Sequence, residues 1–339
     1  METAFSAITE LDDAGFVDHG LAHPARLKGA RCLVLGAGGF LGRALCRALD
    51  KAGATVHTFG RTAPSPHVPG LYPPELTTTG AFEDAGTLSS ALRGQEIVFH
   101  LVSSSLPDQS NRQPSEDVTR EVLPTIQLLE LCRPAGVRKV VFASSGGTVY
   151  GIPQEVPTPE TAATAPISAY GINKLMVERY LGLFRHLHGL EYQVLRLANP
   201  YGPGQSPFKR QGVVAVMLHR ALSGGTVEMW GTGAVTRDFI HVDDVAAAFL
   251  AAAAYDGPHR IMNVGTGQGR SLNQVAADLA EVLDLPNLSV VHRSGRAADV
   301  PVSVLDTRLI HHETGWLPRV PWMRGLAGTA GWMRGAYPL

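Results

Sequence analysis

The chain has 339 residues, of which 45% are hydrophobic and 17% are charged, and its formal net charge is -1. This composition supports a large buried core and disfavours wholesale disorder. The near-zero charge argues against a broad phosphate-binding surface, so a nucleic-acid partner is not expected.

The cysteines and the apolar runs bear on the compartment. Cys32, Cys46 and Cys132 are scattered without CxxC or Cys/His ligand spacing, which fits a reducing cytosol and predicts no metal site. The longest strongly apolar run, residues 245–255, is too short to cross a bilayer, which requires about 20 residues. No signal-peptide pattern lies near Met1. We therefore expect a soluble cytoplasmic protein without a membrane partner.

Buried-strand runs and helical patterns alternate after a polar, acidic N-terminal extension, residues 1–28. Such alternation predicts βαβ units and a parallel sheet covered on both faces. The predicted strands are residues 31–35, 55–59, 96–102, 138–145 and 192–199; helices are predicted at 40–51, within 114–134 and at 168–188, and a Pro-rich loop at 64–74.

Beyond Tyr201 the pattern becomes mixed and richer in Gly, Pro and Arg. This shift predicts an α/β protein in two parts. Residues 29–200 form a Rossmann-like, doubly wound dinucleotide-binding domain. Residues 201–339 form a smaller C-terminal α/β substrate region, with some segments returning to the first domain.

A glycine loop follows the first predicted strand. In "GAGGFLG", Gly36, Gly39 and Gly42 stand at the entry to a helix that begins with Phe40 and Leu41. Glycines here allow a tight turn and bring backbone N–H groups close to a pyrophosphate at the positive end of the helix. We predict that these five residues bind a dinucleotide. The alternative is a plain turn between strand and helix.

The second predicted strand ends in "HTFGR", with Gly60 and Arg61. Dinucleotide sites usually carry an acidic residue about 20 residues after the loop, which binds the ribose 2′-hydroxyl. No carboxylate here repels a 2′-phosphate, and Arg61 can pair with one. The pattern therefore favours NADP over NAD, unless Arg61 is only a solvent-facing loop residue.

A tyrosine and a lysine stand four residues apart in "SAYGINK". Tyr170 and Lys174 share one helix face, where the ammonium and a positive nicotinamide ring favour the phenolate and make Tyr170 a base. The Ser-rich strand end "FASSGGTVYG" supplies hydroxyl donors, of which Ser145 is preferred and Thr148 is a second substrate contact. A solvated helix face is the alternative for the Tyr/Lys pair.

These residues carry a family resemblance. The motifs "GAGGFLG", "VFHLV", "SSGGTVYG", "YGINK", "LRLANPYGPGQ", "TRDFIHVDDV" and "GRAADVP" resemble those of extended short-chain dehydrogenases/reductases of the nucleotide-sugar epimerase/dehydratase group. The resemblance implies a nicotinamide cofactor, NAD(P), in the Rossmann-like domain and a nucleoside-diphosphate sugar, by resemblance UDP-linked, at the C-terminal region. Relatives usually dimerise through helices including residues 168–188.

Further contacts follow from the resemblance. Arg237 and Arg296 match diphosphate-binding arginines, and surface pairing with Asp238 or Asp299 is the alternative. Asn199 would meet the substrate, or else hydrogen-bond its own backbone. Leu101 and Pro200 are expected to contact the cofactor, and Ser103 is expected to contact the sugar. The alternative for Pro200 is a plain turn, and the alternative for Ser103 is a serine that caps the loop.

The chain also departs from the family pattern. Gly146 stands where sugar 4-epimerases often carry Ser or Thr, Ala81 where relatives often carry Asp, and Glu121 where Asn is common. The last two put the detailed cofactor contacts in question. His100 and His241 are expected to be structural.

The resemblance implies a 4-epimerase, in which Tyr170 removes the proton of the sugar 4-hydroxyl while hydride leaves C4. A 4,6-dehydratase is disfavoured, because Gly147 and Thr148 replace the Asp–Glu pair of the dehydratases. An NADPH-dependent 4-keto-sugar reductase is the second reading, supported by Arg61. A non-catalytic NADP-binding regulator would not need the Tyr/Lys pair.

Overall fold

The computed structural model of the chain describes residues 24–62, 73–103, 107–209, 212–294 and 300–338. Most of the predicted N-terminal extension and of the predicted Pro-rich loop lies outside these ranges. The described residues form one large parallel sheet, helices on both of its faces, and a smaller C-terminal region.

The strands are short, and most of them are buried. They are β1 (Arg31–Leu35), β2 (Thr55–Gly60), β3 (Thr77–Thr79), β4 (Ile97–His100), β5 (Lys139–Ser145), β6 (Glu191–Leu197), β7 (Asn199–Tyr201), β8 (Val227–Trp230), β9 (Thr236–His241), β10 (Ile261–Val264), β11 (Gly269–Ser271), β12 (Val290–Arg293) and β13 (Val302–Ser303).

The helices range from one turn to more than five. They are α1 (Phe40–Lys51), α2 (Ala85–Leu92), α3 (Pro107–Arg112), α4 (Pro114–Asp117), α5 (Leu123–Ala135), α6 (Gly146–Val149), α7 (Ala169–His188), α8 (Val213–Leu222), α9 (Val242–Ala254), α10 (Leu272–Leu283), α11 (Arg308–Thr314) and α12 (Trp322–Ala336). A π-helical turn, Val118–Val122, joins α4 to α5.

The central sheet has seven parallel strands in the order β10-β6-β5-β4-β1-β2-β3. Strand order reverses between β1 and β4, which makes the crevice at their carboxyl ends the expected ligand site of a doubly wound sheet. The predicted Rossmann-like fold is therefore confirmed. Strand β10 lies beyond residue 201 and pairs with β6 in this same sheet.

Helices cover both faces of the sheet because its strands are apolar on both sides. One face packs against α1 and α9, around residues such as Val34, Phe99 and Val141. The other face packs against α2, α5 and α7, around Val98 and Phe142. Each fully buried side chain of this size contributes roughly 1.5–3 kcal/mol, so these two cores hold the strand ends in place.

The C-terminal region has its own core. Strands β7, β9, β11 and β13 form a small mixed sheet, β8 pairs with β12, and α8, α10 and α12 pack together. The long apolar run becomes α9, which lies against α1 and is nearly all buried. Across the described residues, no helix combines the length and apolar character needed to cross a bilayer.

Most predicted elements agree with the structure to within a few residues. The first strand and the first helix have the predicted bounds, Arg31–Leu35 and Phe40–Lys51. The strand predicted over residues 96–102 is shorter, because residues 101–103 already belong to the loop that follows β4. The helix predicted within residues 114–134 is interrupted by the π-helical turn, which periodicity did not indicate.

We predict that Gly42→Ala lowers the free energy of unfolding by about 2 kcal/mol, as expected for overpacking. A Cβ on Gly42 would lie 2.2 Å from the Gly36 carbonyl oxygen and 2.7 Å from Ala37 Cα, and backbone cannot move aside easily. Gly38→Ala is the matched control, because no atom lies within 4 Å of its Cβ position. Urea unfolding measures both, and equal midpoints would contradict the prediction.

Candidate active site

The glycine loop forms a narrow cradle at the carboxyl end of β1. Gly36 has a φ of 85°, and a Cβ there would lie 3.3 Å from the Leu101 carbonyl group, so the loop and the segment after β4 touch. Gly39 is the N-cap of α1, and no side chain caps this helix in the described chain. The N–H groups at Phe40, Leu41 and Gly42 are thus suited to an anion. The residues present fit the pyrophosphate of a nicotinamide dinucleotide.

Two other predicted cofactor residues, Arg61 and Pro200, lie on strands or loops near the glycine loop. Arg61 is exposed directly after β2, the strand next to β1. Pro200 lies in β7, and its carbonyl oxygen accepts from Gln205 Nε2 at 3.1 Å. The same turn brings Gly204 to the Phe40 ring, whose Cδ2 lies 3.8 Å from the position of a Cβ on Gly204. The turn after β7 therefore borders the glycine loop.

Helix α7 begins where the sequence indicated, and its first turn carries the predicted base. The Ser168 hydroxyl caps the helix by accepting from Gly171 N at 3.2 Å. A Cβ on Gly171 would lie 2.8 Å from the Thr148 carbonyl oxygen, so glycine allows α7 to start directly against α6. Tyr170 is thereby fixed beside the Ser-rich strand end.

Tyr170 and Lys174 do share one face of α7. The Lys174 Nζ lies 5.4 Å from the centroid of the Tyr170 ring and 5.0 Å from that of Phe142. It also forms an ion pair with Glu121 at 2.6 Å, and the two side chains are only 3% and 2% exposed. The solvated helix face is therefore excluded for Lys174, because its ammonium is buried against a carboxylate.

The surrounding protein groups raise the pKa of the Tyr170 phenol. Burial raises the pKa of the phenol above its ordinary value, and the Glu121 and Asp117 carboxylates raise it further. Lys174 lowers this pKa, as expected, and so does a hydrogen bond with the Ser103 side chain. The ammonium alone is thus insufficient to favour the phenolate, because burial and two carboxylates outweigh it.

The groups around Lys174 form a polar cluster under the site. Burial lowers the pKa of Lys174, but the Glu121 carboxylate and the Tyr170 phenolate outweigh burial, and the pKa is raised. Asp117 accepts from Ser110 and, at 2.8 Å, from Asn173 Nδ2. Sequence reasoning treated Glu121 only as a departure from the family pattern. Glu121 and Lys174 are 53 positions apart in the sequence, so no local sequence pattern could have predicted their contact.

Both histidines that were expected to be structural have partners. His100 Nε2 lies 2.9 Å from Thr125 Oγ1, and burial together with the Lys174 charge lowers the pKa of His100 to about 3, so its ring is neutral. His241 accepts from Asp243 N at 3.3 Å and caps α9. Neither ring has the charge or the freedom expected of a base.

The hydroxyl groups of the strand end point in different directions. Ser144 faces α7, where it donates to Glu178 at 2.5 Å. Ser145, the predicted donor, is the next residue and follows Val141 onto the face of α1 and α9. Thr148 lies in α6 against the start of α7, and its Oγ1 donates to the Ser145 carbonyl oxygen at 3.4 Å. Thr148 therefore lies on the α7 side of the strand end, where its carbonyl oxygen is close to Gly171, whereas strand alternation directs Ser145 to the other face.

Gly146 does not open the pocket. A Cβ at this position would lie 2.5 Å from Leu305 Cδ1 and 3.2 Å from the Arg196 carbonyl oxygen. A Ser or Thr at this position would therefore require the Leu305 side chain to shift. Gly147 is different, because the nearest atom to its Cβ position is Ser303 Oγ at 3.8 Å.

The predicted substrate contacts lie partly beyond the described ranges. Arg296 is one of the residues outside them, as is Asp299. Arg237 Nη1 donates to the carbonyl oxygens of Thr236 at 2.9 Å and Val300 at 2.7 Å, so it ties β9 to the chain just after Arg296.

Asn199 and Asp238 connect the same two strands. Asn199 Nδ2 donates to the Asp238 carbonyl oxygen at 3.2 Å. The Asp238 carboxylate is buried and accepts from Thr266 N at 2.9 Å and Gly267 N at 3.1 Å. Asp238 therefore stabilises the loop after β10, which weakens the alternative that it serves as the partner of Arg237.

The fold and the Tyr170/Lys174 pair beside a glycine loop define a dinucleotide-binding protein of the short-chain dehydrogenase/reductase type. The profile of the family described as "NAD dependent epimerase/dehydratase family" matches residues 32–265. The chain belongs to this family.

Curated and solved relatives agree with this assignment. The chain is 35% identical to a UDP-glucose 4-epimerase of Mycolicibacterium smegmatis over 90% of this chain and 98% of that protein. A UDP-glucose 4-epimerase of Thermotoga maritima, solved with UDP-glucose, superposes with a TM-score of 0.82 at 34% identity, covering 90% and 99% of the two chains. A UDP-glucose 4-epimerase of Thermus thermophilus, solved with NAD, superposes with a TM-score of 0.82 at 32% identity, covering 90% and 99% of the two chains.

The hydroxyl assignment can be tested by removing each group. We expect Thr148→Val to lower kcat about 10²-fold, the effect of losing one positioned donor, and Ser145→Ala to have a smaller effect. Both variants remove one hydroxyl and keep side-chain size similar. Steady-state kinetics on the substrate identified below measures both, and a larger loss for Ser145→Ala would restore the original prediction.

Proposed function

We propose that this chain is a nucleotide-sugar 4-epimerase that acts on a UDP-hexose with bound NAD(P). The observation that carries the proposal is the buried Lys174 ammonium 5.4 Å from the ring of Tyr170, at the edge of the sheet where the glycine loop lies. The UDP-glucose 4-epimerases of M. smegmatis and T. maritima support the same reaction and the same nucleotide.

A bound nicotinamide would supply a reversible hydride acceptor for sugar C4. Tyr170 takes the proton of the 4-hydroxyl in the first half of the reaction and returns it in the second. Lys174 holds its charge close to the phenol and would also contact the nicotinamide ribose. The Thr148 hydroxyl holds the sugar oxygen, and Ser103 adds a hydrogen bond to the phenol.

The diphosphate is held by cations of the C-terminal region. Arg237 Nη1 donates to the Val300 carbonyl oxygen, which holds its side chain between β9 and the chain just before β13. Arg296 is included in the clamp because of the motif that it shares with the family. Guanidinium groups bind two phosphate oxygens at once, which suits a diphosphate. Asn199, tied to β9, completes this clamp.

The choice between NAD and NADP rests on two opposing observations. Arg61 is exposed just after β2, and the strand ends in Gly60 rather than in an acidic residue. This arrangement favours the 2′-phosphate of NADP. The T. thermophilus relative was solved with NAD. The preference for NADP stays a prediction, and we state the cofactor as NAD(P).

A panel of nucleotide sugars tests the function. Protein stripped of cofactor and reloaded with NAD or NADP is incubated with UDP-glucose, UDP-galactose, UDP-N-acetylglucosamine and UDP-glucuronate. We expect one of them to convert to its C4 epimer without net cofactor consumption. A demand for stoichiometric NADPH and a 4-keto sugar would instead select the reductase. The cofactor that the stripped protein binds more tightly tests the prediction that Arg61 favours NADP over NAD.

The same assay identifies the base. We expect Tyr170→Phe to lower turnover by about 10²–10⁴-fold, the usual contribution of a positioned base, while cofactor binding survives. Tyr180→Phe, on the same helix, is the matched control and should turn over normally. Near-normal activity of Tyr170→Phe would remove Tyr170 from the mechanism.

We also propose a cytoplasmic homodimer. Cys32, Cys46 and Cys132 are free and buried, as suits a reducing compartment. Three exposed apolar residues of α7 follow helical spacing: Ile172, Leu183 and Leu187. The helix α5, which packs against α7, begins with Leu123, another exposed apolar residue. Such a surface is typical of a protein–protein contact.

We predict that Leu183→Arg converts the dimer to a monomer, because a charge would be desolvated in the contact. Leu317→Arg is the matched control, since both leucines are 44% exposed. Light scattering gives the mass of each species. A wild-type mass of one chain, or a dimer that persists in Leu183→Arg, would contradict the proposal.

A further inference from the structure

Glu121 occupies an unusual place in the backbone. It lies in the π-helical turn Val118–Val122, and its carbonyl oxygen accepts from Thr125 Oγ1 at 2.6 Å. The turn interrupts the helical register between α4 and α5, and π-helical turns are frequent at functional sites. The Glu121 side chain is buried, and its Oε2 has no hydrogen-bond partner among the described residues.

The charges that face Tyr170 do not add up to a positive environment. Lys174 on α7 contributes one positive charge, Glu121 in the π-helical turn and Asp117 on α4 contribute two carboxylates, and His100 on β4 is neutral. An Asn at position 121 would leave the ammonium unopposed. Glu121 lies 2.6 Å from the buried ammonium and opposes the effect by which Lys174 lowers the pKa of Tyr170.

We propose that Glu121 is a positioning residue that holds the Lys174 ammonium and opposes its charge, so that Tyr170 ionises at a higher pH than it would with an uncharged residue at position 121. The inference rests on the proposed function. Oxidised nicotinamide carries one positive charge, which reduction removes. Tyr170 therefore gives up its proton in the oxidised complex and retains it in the reduced complex, so that proton and hydride are returned to the ketone together.

The test follows the ionisation of Tyr170 directly. Protein labelled with [¹³Cζ]tyrosine is titrated by NMR, and the Tyr170→Phe counterpart identifies the Tyr170 signal among the 8 tyrosines. In the cofactor-free protein, we expect Glu121→Gln to move the Tyr170 titration to lower pH by about one pH unit, the size expected for losing a nearby opposing charge. Glu130→Gln, an exposed residue of α5, is the matched control and should leave it unchanged.

A second measurement needs no variant at position 121, which protects the test if Glu121→Gln fails to fold. In the wild-type protein, we expect the oxidised cofactor to move the Tyr170 titration to lower pH and the reduced cofactor to leave it near that of the cofactor-free protein. A titration that is the same in all three states would overturn the proposal, as would a Glu121→Gln variant that folds and titrates like the wild type.

Failure of this inference can be distinguished from failure of the proposed function. The NMR titration needs cofactor but no sugar and no turnover. A chain that fails the nucleotide-sugar panel but whose Tyr170 titrates at lower pH in Glu121→Gln would lose its epimerase assignment and keep the role of Glu121. An active epimerase in which Glu121→Gln folds and leaves the titration unchanged would keep its function and lose that role.

Discussion

The site depends on one buried ion pair. An isolated ammonium at the position of Lys174 would cost several kcal/mol of desolvation, and Glu121 offsets this cost only because its carboxylate lies 2.6 Å away. The pair connects α7 to the π-helical turn across the end of β5 and thereby fixes the first turn of α7. Tyr170 is placed by that constraint, with the strand end on one side and the cofactor crevice on the other.

The same pair sets the chemistry of the base. Burial and the two neighbouring carboxylates raise the pKa of Tyr170, so the resting protein holds a neutral phenol. A neutral phenol, here hydrogen-bonded to Ser103, is a proton donor and acts as a base only after it has lost its proton. This property suits a reaction that must run in both directions, because the proton that is taken from the sugar has to be given back.

Local signals predicted much of this structure. The strand β1, the loop glycines and helix α1 were predicted with correct bounds, because a buried strand followed by glycines and a helical period is a short-range pattern. Helix α7 was predicted because Ser168 supplies a cap and the apolar period continues to Gly189. The Tyr170/Lys174 proximity needs only one helical turn.

Long-range contacts could not be predicted in the same way. The Glu121 contact depends on how a π-helical turn meets α7, and Leu305, which packs against Gly146, lies 159 residues later in the chain. The direction of Ser145 depends on which helices cover each face of the sheet. Arg237 could be identified by its motif, but its hydrogen bond to Val300 belongs to tertiary structure.

The most direct measurement of the central claim is a crystal structure of the protein with NAD(P) and the nucleotide sugar that it converts. The account predicts the Tyr170 phenolic oxygen within about 2.6–3.2 Å of the sugar 4-oxygen, as a general base requires, with Lys174 between Glu121 and the cofactor ribose. A phenol turned away from the sugar, or a Lys174 ammonium separated from both Tyr170 and Glu121, would contradict it.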